Sequence, residues 1–239
     1  MGSTKAKWRG GQLAFYDSAT HETVKSMAPR QQFEDFEGAA IDANKWLYTD
    51  AGAATEALDG VSGAVLTFDA TNENQEAGIV NQGNVLAWDI SKGLIIEFRA
   101  ALTVLPTLVA EAHLGVLGES QVDDKQIASA DDYAEHACFV ADGSGAIVIY
   151  TDDGTDDNDA VATGITVLAG VNHVYRIDFT DDSDVKFYID GAGVATTTTF
   201  DLSAIASPLV QPYVNMTKHD GAGLGTLTLD YIKIWQATR

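Results

Sequence analysis

The sequence predicts an all-β fold, an antiparallel sandwich or barrel preceded by a short arm. Three observations carry that expectation. First, two neighbouring runs alternate strictly. In His173–Thr180, Tyr175, Ile177 and Phe179 alternate with Arg176, Asp178 and Thr180. In Val185–Asp190, Val185, Phe187 and Ile189 alternate with Lys186, Tyr188 and Asp190. Successive strand side chains point to opposite sides, and Asp181-Asp182-Ser183-Asp184 between the runs is turn chemistry. This is a hairpin with one apolar face, which a second sheet must cover. Second, short strand-like segments recur at close spacing between Gly- and Asp-rich turns, as in sandwiches and barrels. Third, no long amphipathic helix pattern appears; Asp131–His136 and Leu202–Ile205 offer a turn or two.

Taken in order, residues 1–32 read as an arm with a small hairpin. They contain one strand-like stretch, Gln12–Tyr16, then polar turn residues and a boundary near Pro29–Gln32. Residues 33–239 form the main domain. Its expected strands begin with Val65–Asp69, Gly78–Val80, Leu86–Ile90 and Leu94–Leu102, the last with Leu94, Ile96, Phe98 and Ala100 on one face. His113–Leu117, Ala137–Ala141, Ala146–Tyr150 and Ile165–Leu168 follow, with "GES", "ADGSG" and "TDDGTDDND" as loops. Gly193–Phe200, where "TTTT" is β-branched strand filler, Val210–Asn215 and Thr226–Trp235 complete the set.

Composition narrows the function. The 239 residues suffice for one large all-β domain or two small ones, and at 46 % hydrophobic the chain can bury a core. Its 14 Lys+Arg against 35 Asp+Glu give a net −21. A field of that sign repels nucleic acid and anionic membranes, so neither is an expected partner. The charge is split. Residues 1–30 hold Lys5, Lys7, Arg9, Lys25 and Arg30 against Asp17 and Glu22, a net +3, which leaves −24 on the other 209 residues. The N-terminus lacks the apolar run of a secretory signal, and no apolar run approaches the ~18 residues needed to span a bilayer. Cys138, the single cysteine, allows no intramolecular disulfide and reads as a small core residue.

No stretch reads as a cofactor site. Asp152, Asp153, Asp156, Asp157 and Asp159 crowd one loop and are the candidate Ca²⁺ ligands. That loop lacks the EF-hand spacing and its closing Glu, and reads as a solvated hairpin tip. His21, His113, His136, His173 and His219 form no local ligand pair. "GAGLG" (Gly221–Gly225) has neither the strand-to-helix setting nor the Lys of a phosphate loop.

Three stretches carry a family resemblance. "FEDFEGAAIDANKW" (Phe33–Trp46), "HVYRIDFTDDSDVKFYIDG" (His173–Gly191) and "GTLTLDYIKIWQ" (Gly225–Gln236) resemble, in that order, the opening, paired and closing strands of concanavalin-A-like lectin/glucanase domains. The resemblance implies an antiparallel two-sheet jelly-roll sandwich with a concave front sheet. It also brings in the family-16 glycoside hydrolases, whose catalytic strand reads roughly Glu-x-Asp-x-x-Glu and supplies a nucleophile and an acid/base about 5 Å apart. The equivalent strand here, near Tyr133–Val140, offers Glu135 alone. Glu111 and His113 alternate, but they are not a carboxylate dyad, so no catalytic residue is expected. On a sugar-binding face the candidates are Tyr188, Tyr213, Asn215 and Trp235.

The arm adds a second resemblance. "KWRGGQLAFYDSATHETV" is similar to the start of tailed-phage virion proteins, where a short Trp–Gly–Leu–Phe hairpin and "YDSAT" precede a larger domain. This implies a structural protein rather than an enzyme, namely a capsid decoration protein that stabilises the head. It would be made in the host cytoplasm and carried on the capsid surface. Lys5, Lys7, Trp8, Arg9, Leu13, Phe15 and Tyr16 are the expected contacts with the major capsid protein. A homo-oligomer, a trimer on the capsid lattice, is the expected assembly. The competing expectations are a carbohydrate-binding module and, last, a glycoside hydrolase.

Overall fold

A strand with one apolar face needs another such face against it, and the chain meets that need with two stacked antiparallel sheets. A computed structural model describes the backbone of residues 4–9 and 12–17, together with residues 30–60, 63–81, 85–107, 110–119, 133–218 and 221–237. The described strands are β1 (Thr4–Arg9), β2 (Gln12–Asp17), β3 (Arg30–Glu34), β4 (Trp46–Ala51), β5 (Thr55–Leu58), β6 (Ala64–Phe68), β7 (Gln75–Asn81), β8 (Trp88–Asp89) and β9 (Leu94–Val104). They continue with β10 (Ala110–Leu117), β11 (His136–Ala141), β12 (Ala146–Asp152), β13 (Asp157–Thr166), β14 (His173–Asp178), β15 (Lys186–Ile189), β16 (Ala192–Val194), β17 (Leu209–Lys218) and β18 (Gly225–Gln236). Sheet I has the order β13-β12-β11-β10-β17-β7-β4, with β8 beside β17. Sheet II has the order β16-β15-β14-β9-β18-β6-β5, with β3 beside β18. β1 and β2 form a separate two-stranded sheet.

The core lies between the sheets. Tyr175, Ile177, Phe179, Val185, Phe187 and Ile189 are all buried there, as the alternation predicts. The Phe187 ring of sheet II meets Phe139 of sheet I edge-on at 5.3 Å and Phe200 at 4.9 Å. The inward residues of β9, Leu94, Ile96, Phe98 and Ala100, are buried too. Pro212 falls inside β17, a position that a donor-less residue seldom takes. On one side β17 pairs with β8 as far as Val210 and with β7 from Tyr213 onward, so the proline sits where the neighbour changes.

Several expected elements differ. Leu86–Ile90 shrinks to the two residues of β8, because Asp89 caps a 3-10 turn over Ile90–Lys92 that Gly93 ends in the left-handed region. The run Gly193–Phe200 stops at Val194: Ala195 takes φ 50° and Thr198 N–H closes a turn onto its carbonyl, so "TTTT" is not strand. Half of the Asp-rich loop is strand instead, since β13 begins at Asp157. As a sheet edge with two register shifts against β12, β13 tolerates polar residues that water can reach. Residues 133–136 form no helical turn, and His136 already belongs to β11. Arg30–Gln32, placed in the arm by sequence, pair with Ile234–Gln236 as part of β3.

Candidate functional site

The outer face of sheet I is built from alternate residues of its strands, and the register aligns them in rows. One row reads Thr49, Gly78, Asn215, His113, Val140 and Val148; the next reads Leu47, Val80, Tyr213, Gly115, Cys138 and Tyr150. This face is not open to water. Val80, Leu117, Tyr133, Cys138, Val140 and Tyr213 form a second apolar cluster on it, with partly buried Val148 and Tyr150 packed alongside. Within that cover lie polar groups. Among the described residues Thr49 Oγ1, Asn215 Oδ1 and His113 Nδ1 are buried without a hydrogen-bond partner, and the Tyr213 hydroxyl meets only the Cys138 thiol. They are contiguous in the two rows. Buried polar atoms are normally paired, so three such atoms on neighbouring strands set this band apart.

Two carboxylates approach the band from either side of Thr217, Glu76 on β7 and Glu111 on β10. Their backbones stand two strand spacings apart, about 9–10 Å. Asn215 Nδ2 donates to Glu76 Oε1 at 3.2 Å, and His113 Nε2 lies 3.1 Å from Glu111 Oε2. Tyr213 is the hub, edge-on to His113 at 6.5 Å and to Tyr133 at 6.1 Å. Burial pushes its hydroxyl well above the ordinary value and lifts the Cys138 thiol to about 12. A thiol held that high stays protonated and is no nucleophile. Gly115 makes the crowding feasible. A Cβ there would overlap the Ala137 carbonyl oxygen and come within 2.5 Å of Cys138 Cβ.

The residues singled out by sequence do not converge on this band. Tyr213 and Asn215 belong to it, but Tyr188 and Trp235 sit on the outer face of the opposite sheet, so the four do not make one sugar platform. Glu135 lies just before β11, where its Oε1 accepts from Ala206 N–H at 3.0 Å. β11 itself turns His136, Cys138 and Val140 outward and no carboxylate. Asp153 is buried, and its two oxygens take the N–H groups of Thr155, Asp156 and Ala204. Asp152 accepts from Gly154 N–H at 2.6 Å. Among the described residues no three His, Cys, Asp or Glu side chains gather as metal ligands. The side chains of Lys5, Lys7, Trp8, Arg9, Leu13, Phe15 and Tyr16 lie outside the described residues.

No family model matches this sequence, and no curated protein matches it either. Solved structures do. A protein of unknown function from Shewanella oneidensis MR-1 superposes with TM-score 0.59 at 11 % identity, covering 92 % of this chain and 93 % of that one. A β-1,3-glucanase from Mycobacterium marinum gives 0.58 at 16 % identity over 88 % and 100 %. The carbohydrate recognition domain of Emp46p gives 0.56 at 11 % over 84 % and 94 %. The fold is that of the concanavalin-A-like lectins and glucanases. In this chain the polar band rests on residues from three strands: Glu111 and His113 alternate on one of them, whereas Thr49 and Glu76 lie on two others and no local pattern links them to that pair. Chemically the band offers an amide oxygen, an imidazole nitrogen and two hydroxyls that can donate or accept, with carboxylates at its margin.

Proposed function

We propose that this chain is a virion structural protein, a capsid decoration protein of a tailed phage that attaches through its N-terminal hairpin arm. The observation that carries the reading is the separation of the hairpin: β1 and β2 pair with each other, from Thr4 opposite Asp17 to Arg9 opposite Gln12, and join neither sandwich sheet. A lone two-stranded hairpin is marginal in water and gains stability from a surface to rest on. Residues 1–29, with Arg30 in the sandwich, carry a net +2 beside −23 on the remainder, which suits a different surface from that of the sandwich. The absence of a carboxylate on the outward face of β11, the strand expected to match the glucanase motif, favours a non-catalytic role. The test is mass spectrometry of purified virions from the strain that encodes the protein. Recovery at capsomer-like stoichiometry, lost when residues 1–29 are deleted, is expected; absence from virions overturns the reading.

A second reading is a carbohydrate-binding module. It is favoured by Thr49 Oγ1, Asn215 Oδ1 and His113 Nδ1, which have no partner among the described residues on the outer face of sheet I, in a fold shared with a carbohydrate recognition domain. A glycan array followed by calorimetry decides it: a hit abolished by Asn215→Ala supports the reading, and a blank array rejects it.

A further inference from the structure

We propose that the outer face of sheet II is the surface through which two copies of this chain associate, independently of any attachment by the arm. One register row crosses five strands of this face. Tyr188 on β15 stands opposite Arg176 on β14, Arg176 opposite Glu97 on β9, Glu97 opposite Lys233 on β18, and Lys233 opposite Phe33 on β3. The row reads aromatic, cation, anion, cation, aromatic. The Arg176 guanidinium lies 4.1 Å from the Tyr188 ring centre, and Lys233 Nζ lies 4.1 Å from Tyr231 and 5.6 Å from Phe33. Glu97 accepts from the Tyr231 hydroxyl at 2.9 Å and pairs with Lys233 at 3.6 Å, while Arg99 pairs with Asp230.

Charge makes this face different from the rest. Arg99, Arg176, Lys186 and Lys233 nearly balance Glu97, Asp178, Asp184, Asp190 and Asp230 here, on a chain that carries −21. Two such chains repel one another, and the repulsion is weakest where the near-neutral faces meet. Phe33, Tyr188, Tyr231, Arg99 and Arg176 are residue types enriched at interface centres, and Phe33 is 52 % exposed. Cations already stacked on rings lose less freedom on docking than free side chains do. The five strands of the patch, β15, β14, β9, β18 and β3, hold 38 residues, which at about 3.3 Å rise and 4.8 Å spacing cover about 600 Å², against about 800 Å² per partner in a stable interface.

The occupant is a second copy because the row reads alike in both directions. A copy turned about a twofold axis presents the same order. An offset of one strand then sets Glu97 of each copy against Lys233 of the other, the reciprocal contact that an isologous interface requires. Such an interface closes at two, not at the trimer expected from capsid lattices.

Sedimentation velocity of the full chain across a wide concentration range tests the proposal. A concentration-dependent dimer is expected. Phe33→Ala should raise its dissociation constant at least about tenfold, and Arg176→Glu with Lys233→Glu should leave only monomer. Circular dichroism melts identify variants that fail to fold, and Phe33→Ala remains decisive if the double reversal does. A wild-type chain that stays monomeric or forms a trimer overturns the proposal, as does a dimer indifferent to folded variants of this face.

Discussion

Asn215 and His113 face each other across β17 and β10, and each ties one polar atom to a carboxylate while the other stays unpaired. Beside them Tyr213 buries a hydroxyl whose partner is the Cys138 thiol, a weak one. Tyr213→Phe deletes that oxygen and keeps the ring against His113 and Tyr133. Leaving a buried hydroxyl poorly satisfied costs about 1–3 kcal/mol and a thiol is a weak partner, so the variant should lose less than about 1 kcal/mol in urea unfolding. A loss above about 1 kcal/mol would mean that the hydroxyl is satisfied in solution by something bound in the band.

Gly115→Ala should behave in the opposite way. The added methyl would press on the Ala137 carbonyl and on Cys138 in the ladder between β10 and β11. Overpacking of this kind costs about 1–3 kcal/mol, and backbone as the obstructing group puts the expectation at the upper end. An unchanged urea midpoint would show that β10 and β11 can separate without penalty.

Phe187→Ala removes the ring that joins the two sheets through Phe139 and Phe200. The side chain is buried, so the expected cost is about 3–5 kcal/mol. A much smaller loss in chemical denaturation would indicate that the intersheet layer collapses around the gap.

Glu56 supplies the pH dependence. Burial, with the nearby Asp50 carboxylate and then Glu76 adding to it, pushes its carboxyl up to about 7 from the ordinary 4.5. The folded chain therefore holds a proton that the unfolded chain has released across this window. Stability is lost as pH rises from 4.5 through 7. The backbone N–H groups of Glu56 and Gly78 donate to the carboxyl and offset only part of that push, and Glu56 Oε1 has no partner among the described residues. Thermal melts between pH 4.5 and 8 should show the decline in the parent chain and a flatter profile in Glu56→Gln. Parallel profiles would assign the titration to other groups.

The sequence by itself determined the layers. Period-two alternation at Tyr175–Phe179, Val185–Ile189 and Leu94–Ala100 named the inward faces, because a pleated strand leaves each residue only two sides to choose from. It also determined the charge division between arm and sandwich, which needs no geometry. It could not say where strands end when a single residue decides: Ala195 at positive φ and the cap at Asp89 are tertiary outcomes, since β-branched threonines after Ala195 read locally as strand. Nor could it assemble either face. Thr49, Asn215 and His113 share a row only because β4, β7, β17 and β10 lie side by side, and Tyr188 joins Phe33 only across five strands. Lateral order in a sheet is set by which strands pair, and contacts between residues a hundred or more positions apart leave no periodic trace in the chain. Tyr213, Asn215 and Tyr188 were legible one at a time, Thr49 and Glu76 were not, and the pairing of the strands made them neighbours of the rest.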